Sequence, residues 1–214
     1  MDSLSSQLQT HNITVANDGV FEINGDIDPA FSVPDKARIL IISQDQTFLT
    51  HGIHKFPAKF FPELPRYLLK RYSKPRQVVL DPMCGSGTVI LEAMLANRIG
   101  VGVDIDPMAR LITRVKTTPI DQSVLDSAAY DLLSLIRERN GSCDFAPSVP
   151  EFNYRDTWFK NFVLRELAMI RDSIRDVKIS GRNMGSCQDI RDFMRVVFSS
   201  IIRDVSNADP HCTR

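Results

Sequence analysis

The sequence predicts an α/β fold, a partial and largely parallel sheet followed by a helical segment, and three observations predict it. Residues 77–106, QVVLDPMCGSGTVILEAMLANRIGVGVDID, hold two short apolar runs separated by a glycine loop and a helical pattern. Each run ends in an acid, Asp81 for the first and Asp104 for the second. Residues beyond 120 show no further strand pattern and carry apolar residues at helical spacing.

Taken in order, residues 1–18 are polar and aperiodic, the pattern of a tail. Residues 19–25 and 37–43 alternate or cluster β-branched residues between turn signals and are expected as short strands. No function is assigned to residues 1–49. Residues 50–69 carry Pro57, Pro62 and Pro65, and a helix is expected from about Pro62 to Lys70.

Val78, Val79 and Leu80 read as a strand covered on both faces, as in a parallel sheet. Gly85-Ser86-Gly87 makes a turn that a Cβ would resist. Thr88 is expected to cap a helix through Val89, Leu91, Met94 and Leu95, which Gly100 then closes. Val101-Gly102-Val103 is the second strand. After Pro107 a helix is expected over 108–116. Further helices are expected over 124–137, 158–177 and along the stripe Ile190, Phe193, Val197, Phe198, Ile201 and Val205, with a loop at 140–149 and a turn at 180–186. The domains expected are 1–49, a ligand-binding unit over 50–120, and a helical segment over 121–214.

Strand, glycine loop, helix, strand, acid is one βαβ unit of a nucleotide-binding, Rossmann-like fold. Its spacing separates three ligands. A phosphate-cradling loop needs a Lys after the last Gly, where Thr88 stands. A dinucleotide loop uses a third small residue where Ile90 stands, and no basic residue lies between Asp81 and Asn97 to meet a pyrophosphate. An acid opening the loop suits a cationic or zwitterionic ligand, and Asp104 is placed to accept the hydroxyls of a ribose, with Asp106 its competitor. These features describe S-adenosyl-L-methionine.

DPMCGSGT followed by GVDIDP resembles motifs I and II of the DNA amino-methyltransferases, which methylate adenine-N6 or cytosine-N4 and are Rossmann-like in fold. The resemblance implies cofactor contacts from Asp81, Pro82, Met83, Cys84, Gly85, Ser86, Gly87 and Thr88, and from Asp104, Ile105 and Asp106. The family's motif X lies just before motif I and contacts the cofactor's methionine part. By that resemblance His54, Lys55, Phe56, Pro57, Ala58 and Lys59 line the same side. Phe56, Phe60 and Phe61 are otherwise core residues by type. The family's catalytic motif (Asp, Asn or Ser, then Pro-Pro and an aromatic) does not occur in this sequence, so no catalytic residue is assigned. The expectation is the cofactor-binding part of a larger methyltransferase acting on DNA, either a truncated chain or a split subunit, the latter with a second polypeptide as the candidate source of the catalytic half. An RNA methyltransferase, or a non-catalytic subunit binding cofactor or nucleic acid, are the alternatives.

Composition frames these readings. The 214 residues are 43% hydrophobic and 24% charged, ordinary for a globular protein. No run is long enough to span a membrane and the polar start is no signal peptide, so a cytoplasmic protein is expected. Four scattered cysteines show no metal-ligand spacing, and His51 and His54 have no partner acid or thiol nearby in sequence, so no metal is expected. The net charge of zero hides an acidic stretch over 1–50 and a basic block over 51–76, Lys55, Lys59, Arg66, Lys70, Arg71, Lys74 and Arg76 against Glu63. Such a block suits phosphates or a solvated face. Arg191, Arg195 and Arg203 are expected in salt bridges or solvent.

Overall fold

The computed structural model describes residues 12–16, 19–44, 46–57, 59–179 and 184–208, the side chains of 184 and 185 excepted. The chain divides into two compact units, 1–117 and 118–214.

The first unit opens with three short strands, β1 (Ile13–Val15), β2 (Phe21–Asn24) and β3 (Ile39–Ile42). The stretch read as a tail thus supplies β1, which pairs antiparallel with β2 from Ile13↔Ile23 to Val15↔Phe21. Only three residues form it, too few for alternation to show. β2 and β3 pair in parallel, Phe21↔Ile39 to Asn24↔Ile42. Ile13, Ile23 and Ile27 close over Tyr67 of helix α1 (Glu63–Tyr72), with Phe21, Phe31, Ile39 and Ile41 around them.

The second sheet is the βαβ unit. β4 (Val78–Asp81) and β5 (Ile99–Gly102) run parallel, Val78↔Ile99 to Asp81↔Gly102, joined by α2 (Thr88–Leu95). Three local expectations change. β5 begins at Ile99 rather than Val101, and Gly100 lies inside it instead of ending the helix. The chain leaves α2 through Asn97, whose φ of 59° is left-handed, a conformation Asn tolerates. Thr88 is the first residue of α2 and caps nothing: the cap position is Gly87, φ 77°, with no side-chain bond.

Ile90 holds the position where a third small residue was looked for, and the strand makes room for it. A Cβ on Gly100 would lie 2.9 Å from Ile90 Cγ2, and one on Gly102 would lie 3.1 Å from Ile90 Cγ1. Close helix–sheet approach comes here from glycines on the strand. The opposite face is not covered among the described residues, contrary to the reading of a strand buried on both sides. Val78 and Leu80 are 65% and 62% exposed, and Ile99 and Val101 are 56% and 42% exposed.

Helix α3 (Pro107–Thr117) follows β5, buries Ala109, Ile112 and Val115, and packs on α2. The second unit is helical: α4 (Gln122–Gly141), α5 (Arg155–Trp158), α6 (Asn161–Asp176) and α7 (Met184–Ile202). Asp121 caps α4 through the amides of Ser123 and Val124. The helix expected over 158–177 is broken at Phe159 and Lys160, and Trp158 and Phe162 are 48% and 60% exposed. α7 begins at Met184, inside the expected turn, of which 180–183 lie outside the described residues. The core of this unit is Ala128, Ile174, Val177, Ile190 and Met194; Val197, Ile201 and Val205 of the expected stripe are exposed. Arg191 donates to the carbonyls of Ile174, Arg175 and Val177, capping the end of α6, and Arg195 pairs with Asp192.

Candidate cofactor site at the glycine loop

The site lies beyond the C-terminal ends of β4 and β5, where a parallel sheet opens toward a ligand. Backbone pairing continues one step past the strands, Val103 N to Asp81 O at 2.9 Å and Cys84 N to Val103 O at 3.0 Å. The loop then turns sharply, Gly87 N donating to Cys84 O at 2.8 Å. Gly85 and Gly87 are both left-handed, φ 49° and 77°.

Two side chains hold this turn. Thr113 of α3 donates to Gly85 O at 3.0 Å, and its side chain fills the space beside Gly87. Asp104 accepts from Gly85 N through Oδ2 at 2.8 Å and from Asp106 N through Oδ1 at 2.9 Å. These backbone donors, Asp106 then Gly85, hold its carboxyl below the usual carboxylate range. Each oxygen keeps lone-pair capacity for a ligand hydroxyl. Asp106 accepts from Met108 N at 2.8 Å and opens α3. Asp81 turns back to Met83 N at 3.2 Å. The acid after the second strand therefore ties the two motifs together whatever else it binds.

Most of the residues singled out from sequence meet here. Phe56 lies over the loop, 3.5 Å from where a Gly85 Cβ would sit. Phe56, Lys59, Phe60, Asp81, Met83, Cys84, Gly85, Ser86, Thr88 and Val89 bound a cavity of about 70 Å³. Met83 and Ile105 stand out at 84% and 95% exposed, while Pro82 and Pro57 are exposed beside them. Cys84 is buried against Gly102 and Thr113, and burial pushes its thiol up, which agrees with a packing role. Lys55 is exposed and Ala58 lies outside the described residues. Phe60 is 57% exposed, so it is not core.

Two features escaped sequence reading. Lys116, at the end of α3, is buried, and its Nζ donates to Ser86 Oγ at 3.3 Å. Burial, and then the neighbouring charge of Lys59, lower its pKa to about 8. Burial and Lys116 lower that of His54 as well. The second is a buried ion network: His51 Nε2 lies 2.9 Å from Glu92 Oε1, and Arg66 Nε lies 2.9 Å from Glu92 Oε2. Arg66 also pairs with Asp26. The available signal was Glu92 itself, a single carboxylate in the apolar helix TVILEAML. Among the described residues no cluster of His, Cys, Asp and Glu is placed to hold a metal ion, and no helix is long and apolar enough to cross a membrane.

The site is a βαβ unit with a glycine turn pinned by the acid after its second strand. Residues 32–114 match the family model described as DNA methylase. The chain is 32% identical over 167 residues to the type II methyltransferase M.MvaI of Kocuria varians, covering 74% of this chain and 35% of that protein. It is 35% identical over 104 residues to the type II methyltransferase M.MjaII of Methanocaldococcus jannaschii, covering 49% of this chain and 20% of that protein. The chain thus spans about a third and a fifth of these relatives' lengths. No solved structure matches. The segment built around the glycine loop is thus the part of the chain that is similar to DNA methylases.

Proposed function

We propose that this chain binds S-adenosyl-L-methionine at the glycine loop and serves methylation of an exocyclic amino group in DNA, adenine-N6 or cytosine-N4. The observation that carries the reading is the bond from Gly85 N to Asp104 Oδ2, which sets an open glycine turn beside an acid that keeps acceptor capacity for a hydroxyl. The residues present fit the group. Thr88 Oγ1 is buried without a partner among the described residues, and Phe56 gives the loop an apolar wall.

The bound group supplies a methyl on a sulfonium, electrophilic enough for a poorly basic base amine. The chain's own part is to bind and orient. Asp104 accepts ribose hydroxyls, Met83 and Ile105 offer apolar flanks, and the amides of the turn approach the ligand because no Cβ stands in the way. The Pro-Pro-aromatic segment that stacks a flipped base and orients its amine in family members is not among these 214 residues. Methyl transfer accordingly needs that segment in addition to these residues. The exposed apolar strand face of Val78, Leu80, Ile99 and Val101 supports further polypeptide packing on this sheet. A type II restriction–modification setting follows the names of the two relatives.

The test is titration calorimetry with S-adenosyl-L-methionine on the chain and on Asp104→Ala. Binding by the parent, weakened about tenfold or more in the variant, is expected. Equal binding by both refutes the ribose role, and no binding by the parent refutes the cofactor. Labelled methyl transfer to mixed-sequence DNA is expected only when a polypeptide carrying the Pro-Pro-aromatic segment is added.

A further inference from the structure

Lys116 is a cation in a place that hides it from water. It is 3% exposed, and among the described residues no carboxylate pairs with it. Its ammonium meets one hydroxyl, Ser86 Oγ, at 3.3 Å. The charge that acts on it is another cation, Lys59, whose Nζ reaches the carbonyls of Gln46 and His51 at 3.4 Å. Buried cations are ordinarily paired, and this one is instead crowded by a like charge.

The surroundings show what is wanted. Ser86 accepts from Lys116, so its own proton is directed elsewhere. Ser86 and Thr88 both line the cavity beside the glycine loop, as does Lys59. Thr88 is 4% exposed, and its Oγ1 has no partner among the described residues. Two buried hydroxyl donors at the start of α2, backed by two ammonium groups, form a receptor for an anion. The cavity, about 70 Å³, has room for about two water-sized groups at roughly 30 Å³ each. That admits a carboxylate and excludes a nucleoside.

We propose that Lys116 is a positioning residue for a ligand carboxylate: through Ser86, and together with Thr88, it makes this recess the seat of the amino-acid end of the bound ligand. The inference rests on the cofactor reading above and adds a residue from α3, outside both the glycine loop and the stretch before it. Lys116 orients the Ser86 hydroxyl as a donor and holds positive potential in the recess. A ligand carboxylate in turn relieves the repulsion between Lys116 and Lys59.

The experiment compares two probes by calorimetry on the full chain: S-adenosylhomocysteine, which carries the carboxylate, and 5′-methylthioadenosine, which shares the nucleoside but lacks the amino-acid end. Lys116→Met is expected to weaken S-adenosylhomocysteine about tenfold or more and to leave 5′-methylthioadenosine within about twofold, one lost charge-assisted interaction. Lys116→Arg keeps the charge, and its affinity for S-adenosylhomocysteine is expected to fall less above about pH 8 than the parent's, because an arginine does not titrate there. Lys59 lines the recess and His54 feels the charge of Lys116, and both are present in all three proteins, so their titration is common to the comparison. Equal loss of both probes in Lys116→Met, or no loss of either, overturns the proposal while leaving the cofactor reading intact. Identical pH profiles for parent and Lys116→Arg overturn it even if the Met variant does not fold. Failure of the parent to bind either probe sinks the cofactor reading, and the proposal with it.

Discussion

Thr113 of α3 stands in the space that a side chain at Gly87 would need. A Cβ added there would lie 2.5 Å from Thr113 Oγ1 and 2.6 Å from its Cγ2. Gly87 therefore serves helix packing as much as ligand access, and its left-handed φ adds a second reason for glycine. Gly87→Ala is expected to lower stability by about 2–4 kcal/mol, combining left-handed strain with overpacking. In urea unfolding, Thr113→Ala in the same chain should recover part of that loss, since it removes the two nearest atoms. Full additivity of the two changes would mean that the clash is relieved elsewhere.

The network of His51, Glu92 and Arg66 predicts an acid-sensitive fold. Burial pushes the Glu92 carboxyl up, but the hydrogen bonds from His51 and Arg66 outweigh it and the net shift is downward. A depressed carboxylate contributes stability present above its unfolded pKa, near about 4.3, and loses it as pH falls through the folded value. Glu92→Ala leaves His51 and Arg66 facing an uncompensated site and should cost about 3–5 kcal/mol at neutral pH. Glu92→Gln should unfold less steeply than the parent below about pH 4.5. Parallel acid titration curves for the two would remove Glu92 from the account.

Lys116 predicts a dependence of the same sign in an alkaline window. Its folded pKa of about 8 lies below the ordinary lysine value, so the unfolded chain binds more protons between the two. The protonated form is disfavoured by folding: the cost is complete below about pH 8 and is relieved as pH rises toward 10.5. Lys116→Met should accordingly stabilise the ligand-free chain at pH 7 by about 2–3 kcal/mol, with the gap closing in alkali. Thermal unfolding from pH 7 to 10 checks it. A less stable Met variant at pH 7 would mean that the ammonium is satisfied in a way its single hydroxyl contact does not reveal.

Lys55 and Lys59 are predicted to part company on DNA. Lys55 is exposed, whereas Lys59 turns toward the carbonyls of Gln46 and His51 and lines the recess beside the loop. Lys55→Ala should flatten the salt dependence of DNA binding by about 0.9 in log–log slope, the value of one lost phosphate contact. Lys59→Ala should leave that slope unchanged. A flattened slope for Lys59→Ala would return it to the nucleic-acid surface.

The sequence by itself determined the βαβ unit, because its signals are local. A run of Val and Leu, glycines where φ must be positive, a helix period and a terminal acid each act within a few residues, and their order leaves one topology. The resemblance carried by DPMCGSGT and GVDIDP is local for the same reason. Tertiary structure decided what depends on residues far apart in the chain. Ile90 is tolerated because Gly100 and Gly102 recede beneath it, and Gly87 is required because Thr113 leans over it. Glu92 is paired because His51, forty-one positions earlier, comes to rest against it. Lys116, thirty positions after Ser86, reaches back to the loop because α3 returns along α2. Such contacts leave no period or motif in a single sequence, because each partner is an ordinary residue until the fold brings the other beside it.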